Sequence, residues 1–336
     1  MIFVTGGTGL LGSHLLYNLC QQDVSIRAIF REQSKIKLTF KIFQFYSPEN
    51  AEWLFSKIEW VNCDVLDVVT LEEFMQGCET VYHCAAIVSF ARKDFFKMMK
   101  INRQGTANIV NLGLDLGIKK LCFVSSTSAV SADIDHPENP LIEKNKWVQT
   151  PETSGYAISK YSSEKEVWRG MEEGLPAVIV NPSMIIGPGN WDESSLKILR
   201  TISNGFKFYT TGSNAFVDAR DVASVMVRLM NSEIKNERFL VTGTNISFKS
   251  FFDKVAMQLG VKAPSILAGP FVSAFACNLS WFMSLFTGKR TLTKDSVRSA
   301  QAITIYSSEK LLDALEDFQF RSIDDTIENA LRGRIK

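Results

Sequence analysis

The chain is expected to be an α/β protein: a doubly wound parallel sheet carrying a smaller, mainly helical cap. Three observations predict this. Short apolar runs alternate with helix-periodic segments through the first half. A glycine-rich turn joins the first run to the first helix. The alternation then stops after Pro182, where glycine and proline punctuation takes over.

Ile2–Thr5 is an apolar run that stops at glycines, and Leu11, Leu15, Leu16 and Leu19 then line one helical face. Residues 24–30 and Ile58–Asn62 read as the second and third strands. The stretch 32–57 between them is the least regular, read as loop plus one helix near 50–57. Thr70-Leu-Glu-Glu73 has the pattern of a capping box opening a short helix. Residues 80–86, 120–126 and 177–181 read as strands four to six, with helices at 94–116 and 154–171 between them. The alternation assigns 1–181 to the sheet domain, with 215–231 returning to it. It assigns 182–214 and 232–336 to a substrate-binding cap.

At 336 residues, with 46% apolar and 22% charged residues, the chain can bury a large core. A net charge of +1 gives no electrostatic reason to expect nucleic acid as a partner. The cysteines at 20, 63, 78, 84, 122 and 277 show no paired spacing and read as reduced, buried thiols. The histidines at 14, 83 and 136 are too dispersed for a metal cluster, so no metal is expected. His83 and Cys84 sit in an apolar strand and read as structural. The first strand begins at Met1 with no leader ahead of it, so a cytoplasmic enzyme is expected. Residues 263–287 carry no charge, but prolines, a glycine and an asparagine interrupt them. They read as core of the cap, with a substrate entrance or a membrane-surface contact as the alternatives.

Thr5-Gly-Gly-Thr-Gly-Leu-Leu-Gly12 lies between a strand and a helix, the context of a dinucleotide-binding turn. Gly6 permits the tight turn, Gly9 lets backbone approach a pyrophosphate, and Gly12 lets helix and strand pack closely. Thr8, Leu10 and Leu11 complete the turn and open the helix whose amino end faces the phosphates. Position 30, at the end of the second strand, holds no acid for a ribose 2′-hydroxyl. Arg31 stands next to it and could pair with a 2′-phosphate, helped by Lys35, so NADP is the expected cofactor and NAD the alternative. Tyr156 and Lys160 are one helical turn apart. A lysine there is expected to favour the ionised phenol and make Tyr156 a proton shuttle.

The glycine spacing together with Tyr156 and Lys160 resembles the extended branch of the short-chain dehydrogenase/reductase superfamily, over almost the whole chain. That resemblance implies a Rossmann domain. It also implies a contact with adenine from Asp64 and Val65, and a cofactor wall from Ala85 and Ala86 in His83-Cys-Ala-Ala86. It places the catalytic hydroxyl at Thr127 in Ser125-Ser-Thr127, with Ser126 next in line, and gives Lys160 the nicotinamide ribose. Asn102 joins a supporting network, while Asn181, Pro182 and Ser183 cover the nicotinamide. Phe216-Val-Asp-Ala-Arg-Asp221 matches another recurring signature. Within the branch the chain looks most like dihydroflavonol-reductase-like enzymes. The implied activity is NADP(H)-dependent reduction of an aldehyde or ketone, or oxidation of the alcohol, on a small apolar molecule. A hydroxysteroid-like substrate falls in this class. The alternatives are a nucleotide-sugar epimerase or dehydratase retaining NAD, and a cofactor-sensing regulator. A homodimer through helices 94–116 and 154–171 is implied by the same resemblance. Trp191, Phe206, Phe208, Tyr209, Phe216, Phe271, Phe275, Trp281 and Phe282 are candidates to line an apolar pocket.

Overall fold

The computed structural model describes residues 1–133, 135–136, 138–269 and 300–335. Six strands lie in one sheet: β1 (Ile2–Thr5), β2 (Ile26–Phe30), β3 (Ile58–Asn62), β4 (Thr80–His83), β5 (Lys120–Val124) and β6 (Ala177–Pro182). The seventh is Glu237–Val241, which pairs with β6. From that edge the order runs through β6, β5, β4, β1 and β2 to β3, and all pairings are parallel. Strand order reverses beside β1, so a crevice opens above the carboxyl ends of β1 and β4.

Helices cover both faces: α1 (Leu10–Cys20), α2 (Gln33–Tyr46), α3 (Ala51–Ser56), α4 (Val68–Met75), α5 (Phe95–Met98), α6 (Gly105–Asp115) and α7 (Gly155–Glu172). A π-helical stretch, Met99–Gln104, joins α5 to α6. One core holds Leu15, Leu16 and Leu19 of α1 with Val222, Val225 and Met226 of helix Ala219–Asn231. The opposite core holds Leu71 of α4, Ile109 and Val110 of α6, and Val167 of α7. Buried strands with apolar side chains on both faces are what a sheet covered on both sides requires.

Several expectations change. Residues 32–57 form two helices, α2 and α3, rather than loop plus one helix; Thr39, Ile42 and Phe43 give α2 its buried face. The cap of α4 is Asp67, whose carboxylate accepts from the Thr70 amide and hydroxyl, three residues before the expected box. Strands β4 and β5 end at His83 and Val124, leaving Ala85, Ala86 and Ser125 in the loops above the sheet. Residues 232–336 were expected to lie wholly in the cap, yet Glu237–Val241 belongs to the central sheet. Within 215–231 the helical part packs on that sheet, together with Val217. Its strand, Ser213–Asp218, pairs instead with Met184–Ile186 and Thr244–Ser247 in a separate three-stranded sheet.

The cap has its own core, in which Phe216 stacks on Phe251 at 3.9 Å and Trp191 is buried. Those two aromatics are therefore packing residues rather than pocket walls, while Phe271, Phe275, Trp281 and Phe282 lie outside the described residues. The Asp218/Arg220/Asp221 signature fastens the cap to the sheet. Asp218 caps the following helix and holds Arg220, which also reaches Asp325; Asp221 holds Arg321. Among the described residues no helix is long and apolar enough to cross a membrane. Of the segment 263–287, only 263–269 is described, with Ile266–Leu267 paired to Phe208–Tyr209.

Candidate active site

The site begins at the turn after β1. Gly6 has φ +70°, and a Cβ there would lie 2.6 Å from the Ala85 amide nitrogen. A Cβ on Gly12 would collide with the Gly6 carbonyl oxygen. The absent side chains thus bring the β1 and β4 loops and α1 together. Gly9 takes the N-cap of α1 with no side chain to satisfy the helix amides. Leu11 is buried in the core, so this residue faces the phosphate position only through its backbone. A glycine cradle under an uncapped helix amino end fits a pyrophosphate. Thr8, Gly9 and Leu10 line a hollow there with Thr39 of α2 and Asn190 and Glu193 of the cap.

His83 is fixed directly beneath this turn. The Ala85 amide donates to Thr5 Oγ1 at 3.2 Å, and Thr106 Oγ1 donates to the Asn102 carbonyl at 2.5 Å. The Thr106 hydroxyl, having donated, can only accept from His83 Nε2 at 3.0 Å. Nδ1 must then accept from Thr5 Oγ1 at 2.7 Å. Burial, with Lys160 adding to it, pulls this imidazole down to about 3. His83 is a neutral tie between β1, β4 and the helical layer, and does not change its protonation near neutral pH.

At the other end, Arg31 and Asp64 stand at the tips of β2 and β3 with 3.7 Å between their charged groups, both half-exposed. Lys35 faces Glu193 at 3.7 Å. Val65 is buried against Gly105, and its carbonyl accepts from Asn108 Nδ2 at 2.9 Å. That contact anchors the loop carrying Asp64.

The reaction-centre candidates cluster at the tips of β5 and β6. Ser154 caps α7, its hydroxyl accepting from the Ala157 amide at 3.1 Å. The cap starts the helix in the register that turns Tyr156 and Lys160 toward β5. Burial pushes the Tyr156 phenol up to about 12, and the Ser126 hydroxyl beside it partly offsets this. Lys160 is buried, donates to the Val124 carbonyl at 2.7 Å and lies over the Phe123 ring at 4.5 Å. Burial pulls its ammonium down to about 8 against the opposing pull of Glu164. The expected lowering of the phenol by Lys160 is not found: burial dominates, with only Ser126 opposing it. Phe90 meets the Tyr156 ring edge-to-face at 6.0 Å and is itself 40% exposed, so the phenol has an aromatic neighbour on its open side.

Of the two candidate hydroxyls, Ser126 and Thr127, that of Ser126 bears on the Tyr156 phenol. A 3-10 turn, Thr127–Ala129, follows β5, with Ser126 capping it through the Ser128 amide at 3.1 Å. Thr127 lines a cavity of about 550 Å³ beside the β5 tip, together with Ser128, Leu141 and Tyr306. Asn102 sits in a hydrogen-bond network between the loop after β4 and α7. Its side chain accepts from the Ile87 amide at 2.7 Å and donates to the Ile87 carbonyl and to Ser159 Oγ, each at 3.0 Å. It pins the loop after β4 to α7.

Asn181 Nδ2 donates to the Ser126 carbonyl at 2.8 Å and to Glu164 Oε1 at 2.6 Å. Its Oδ1 and the Ser183 hydroxyl are buried with no partner. Unpaired buried polar atoms at a crevice are costly unless a ligand meets them, which fits a polar group such as a carboxamide. Pro182 is buried between them.

The profile of the NAD dependent epimerase/dehydratase family matches residues 2–242. The chain belongs to that family. Its relatives include reductases. It is 30% identical over 273 residues to a Synechocystis protein carrying the provisional name dihydroflavonol 4-reductase (78% of this chain, 73% of the relative). It is 25% identical over 254 residues to cinnamoyl-CoA reductase 1 of Petunia hybrida (71% and 72%). Among solved structures it resembles that of gox2253, with TM-score 0.80 and 25% identity over 99% of this chain and 97% of that one. UDP-glucuronic acid 4-epimerase from Bacillus cereus, solved with UDP-glucuronic acid and NAD, shares the fold at TM-score 0.76 and 18% identity, covering 99% and 98%.

For this epimerase/dehydratase family member, sequence reasoning missed Glu164, Arg238 and Tyr306. Glu164 is fully buried one turn beyond Lys160, and Arg238 Nη1 meets its Oε2 at 3.0 Å. Burial pushes this carboxyl up, with Arg238 the leading opposing influence. The four-residue spacing Tyr156, Lys160, Glu164 was the available signal. Arg238 and Tyr306 lie too far along the chain for any local pattern to reach them.

Proposed function

We propose that this protein is an NADP(H)-dependent reductase of an aldehyde or ketone on a small, largely apolar molecule. The observation that carries the reading is the protonated Tyr156 phenol beside the Ser126 hydroxyl at the tips of β5 and α7. A phenol held well above neutral pH keeps its proton until a stronger base forms, which suits proton donation to an alkoxide. A reduced nicotinamide, when bound, supplies the hydride that creates that alkoxide on the carbonyl carbon. Gly6, Gly9 and Gly12 would hold the pyrophosphate, with Asn181 and Ser183 meeting the nicotinamide end. Ser126 hydrogen-bonds the substrate oxygen, Tyr156 gives it a proton, and Lys160 holds the cofactor's ribose. The loop pinned by Asn102 and the Phe90 ring limit water at the phenol.

The test is stoichiometric. Incubation with a carbonyl panel is expected to consume one NADPH for each alcohol formed. Isomerisation of a nucleotide sugar with no net change in NADPH would replace this reading by an epimerase.

Arg31 supports the choice of cofactor, since this half-exposed guanidinium stands at the β2 tip. A charge-assisted hydrogen bond to a 2′-phosphate is worth about 1.5–3 kcal/mol. Arg31→Ala is therefore expected to weaken NADPH binding about 10–100-fold and NADH binding by less than about 2-fold. Titration of both cofactors checks this, and equal losses would remove the NADP assignment.

A further inference from the structure

We infer that Glu164 is a positioning residue: through Asn181 it registers the hydroxyl-bearing turn after β5 to the helix face that carries Tyr156. This role rests on the reductase reading above, since the hydroxyls of the turn serve that reaction. Tyr156, Lys160 and Glu164 follow one another at four-residue spacing on α7, so they share one face. That face grips the tip of β5 at two carbonyls. Lys160 Nζ donates to the Val124 carbonyl at 2.7 Å. Two residues on, the Ser126 carbonyl accepts from Asn181 Nδ2 at 2.8 Å, and the same nitrogen donates to Glu164 Oε1 at 2.6 Å. The helix that presents the phenol thus also sets the place of the strand end that bears Ser126 and Thr127.

Two acceptors fix the Asn181 amide in one orientation. Both protons of Nδ2 are used, one on a carbonyl and one on a carboxylate, so a flipped amide would set its oxygen against two acceptors. A side chain without an acceptor at 164 would leave the amide free to turn away from Ser126. The Ser126 carbonyl also accepts from the Ala129 amide, and the Ser126 hydroxyl accepts from the Ser128 amide at 3.1 Å. Displacing this one residue therefore shifts the 3-10 turn and both candidate hydroxyls with it. Stability alone gives no reason for a carboxylate here. Glu164 has no exposed side-chain surface and is held by Arg238 Nη1 at 3.0 Å. Replacing both members of such a buried pair by apolar residues of similar size is often neutral. What an apolar pair cannot supply is the acceptor that Asn181 needs. Hydroxyls misplaced by about 1 Å at a reaction centre cost about 10²-fold in rate.

The experiment compares two double variants, each of which removes the ion pair. The apolar pair, Glu164→Leu with Arg238→Met, leaves Asn181 no acceptor at 164. The amide pair, Glu164→Gln with Arg238→Gln, keeps an oxygen for Asn181 and lets the two introduced amides satisfy each other. Deuterium exchange of the backbone amides of 126–130 needs no substrate. It is expected to run about 10-fold faster than wild type in the apolar pair and within about 2-fold in the amide pair. Turnover of a carbonyl that consumes NADPH is expected to fall about 10–100-fold in the apolar pair and to stay within about 3-fold in the amide pair. KM for that carbonyl is expected to stay within about 3-fold in both. Equal exchange or equal turnover in the two variants overturns the proposal. Failure of either pair to fold in a urea melt also overturns it, because the carboxylate would then serve stability. Should the exchange rates separate as expected while no carbonyl consumes NADPH in the wild type, the reductase reading falls and the anchoring of the turn stands.

Discussion

Tyr156→Phe is expected to lower carbonyl reduction by about 10²–10⁴-fold while dinucleotide affinity stays within about 2-fold. The substitution keeps the ring, its edge-to-face contact with Phe90 and the start of α7. It removes only the proton and the partner of Ser126. Steady-state turnover and cofactor titration on the same preparation separate the two effects. If turnover survives within a few-fold, the donor is another group, and Ser126 becomes the first to examine. The pH profile gives a second readout. Tyr156 stays protonated up to about 12. Lys160 loses its proton near 8, so reduction is expected to fall as pH rises through that value. A profile flat to pH 10 would detach Lys160 from the reaction.

Arg238→Ala is expected to cost about 3–5 kcal/mol of stability, the usual loss when one partner of a buried ion pair is removed. Glu164 has no solvent exposure in its side chain and Arg238 has 13%. The substitution leaves a carboxylate in the core, still bonded to the Asn181 amide. It also releases the guanidinium's contact with the Glu143 carbonyl. Glu164 already has a raised folded-state pKa, so the folded state holds that proton more tightly than the unfolded chain does. Such a contribution is present below the ordinary carboxylate range and is lost as pH rises through the folded-state pKa. With Arg238 gone the shift grows, so the variant should be weakest, relative to wild type, at neutral pH and recover part of the difference at mildly acidic pH. Denaturant melts at the two pH values check this. A loss below about 1 kcal/mol at neutral pH would show that the pair is solvated in solution. The consequence reaches the site through Asn181, whose amide bridges Glu164 to the Ser126 carbonyl.

How much of this the sequence carries depends on the range of the interaction. The glycine turn was legible because Gly6, Gly9 and Gly12 act within one strand–turn–helix unit. The Tyr156/Lys160 face was legible because helical period is local. Helix α2 was obscured because its few buried positions, Thr39, Ile42 and Phe43, sit among Lys35, Lys37 and Lys41. The choice between the Ser126 and Thr127 hydroxyls is not legible in the sequence because both adjoin a 3-10 turn of three residues. Strand Glu237–Val241 carries Arg238 to Glu164 from 74 residues away, a pairing fixed by sheet order alone. The same holds for Tyr306, which reaches the cavity through its bridge to Leu141.

The most direct measurement is a crystal structure with NADP(H) bound. The nicotinamide ring is expected above the β4–β5 tips with its reactive carbon facing the Tyr156 and Ser126 hydroxyls, and the 2′-phosphate against Arg31. A dinucleotide seated elsewhere, or a Tyr156 phenol turned away from the ring, would contradict the account.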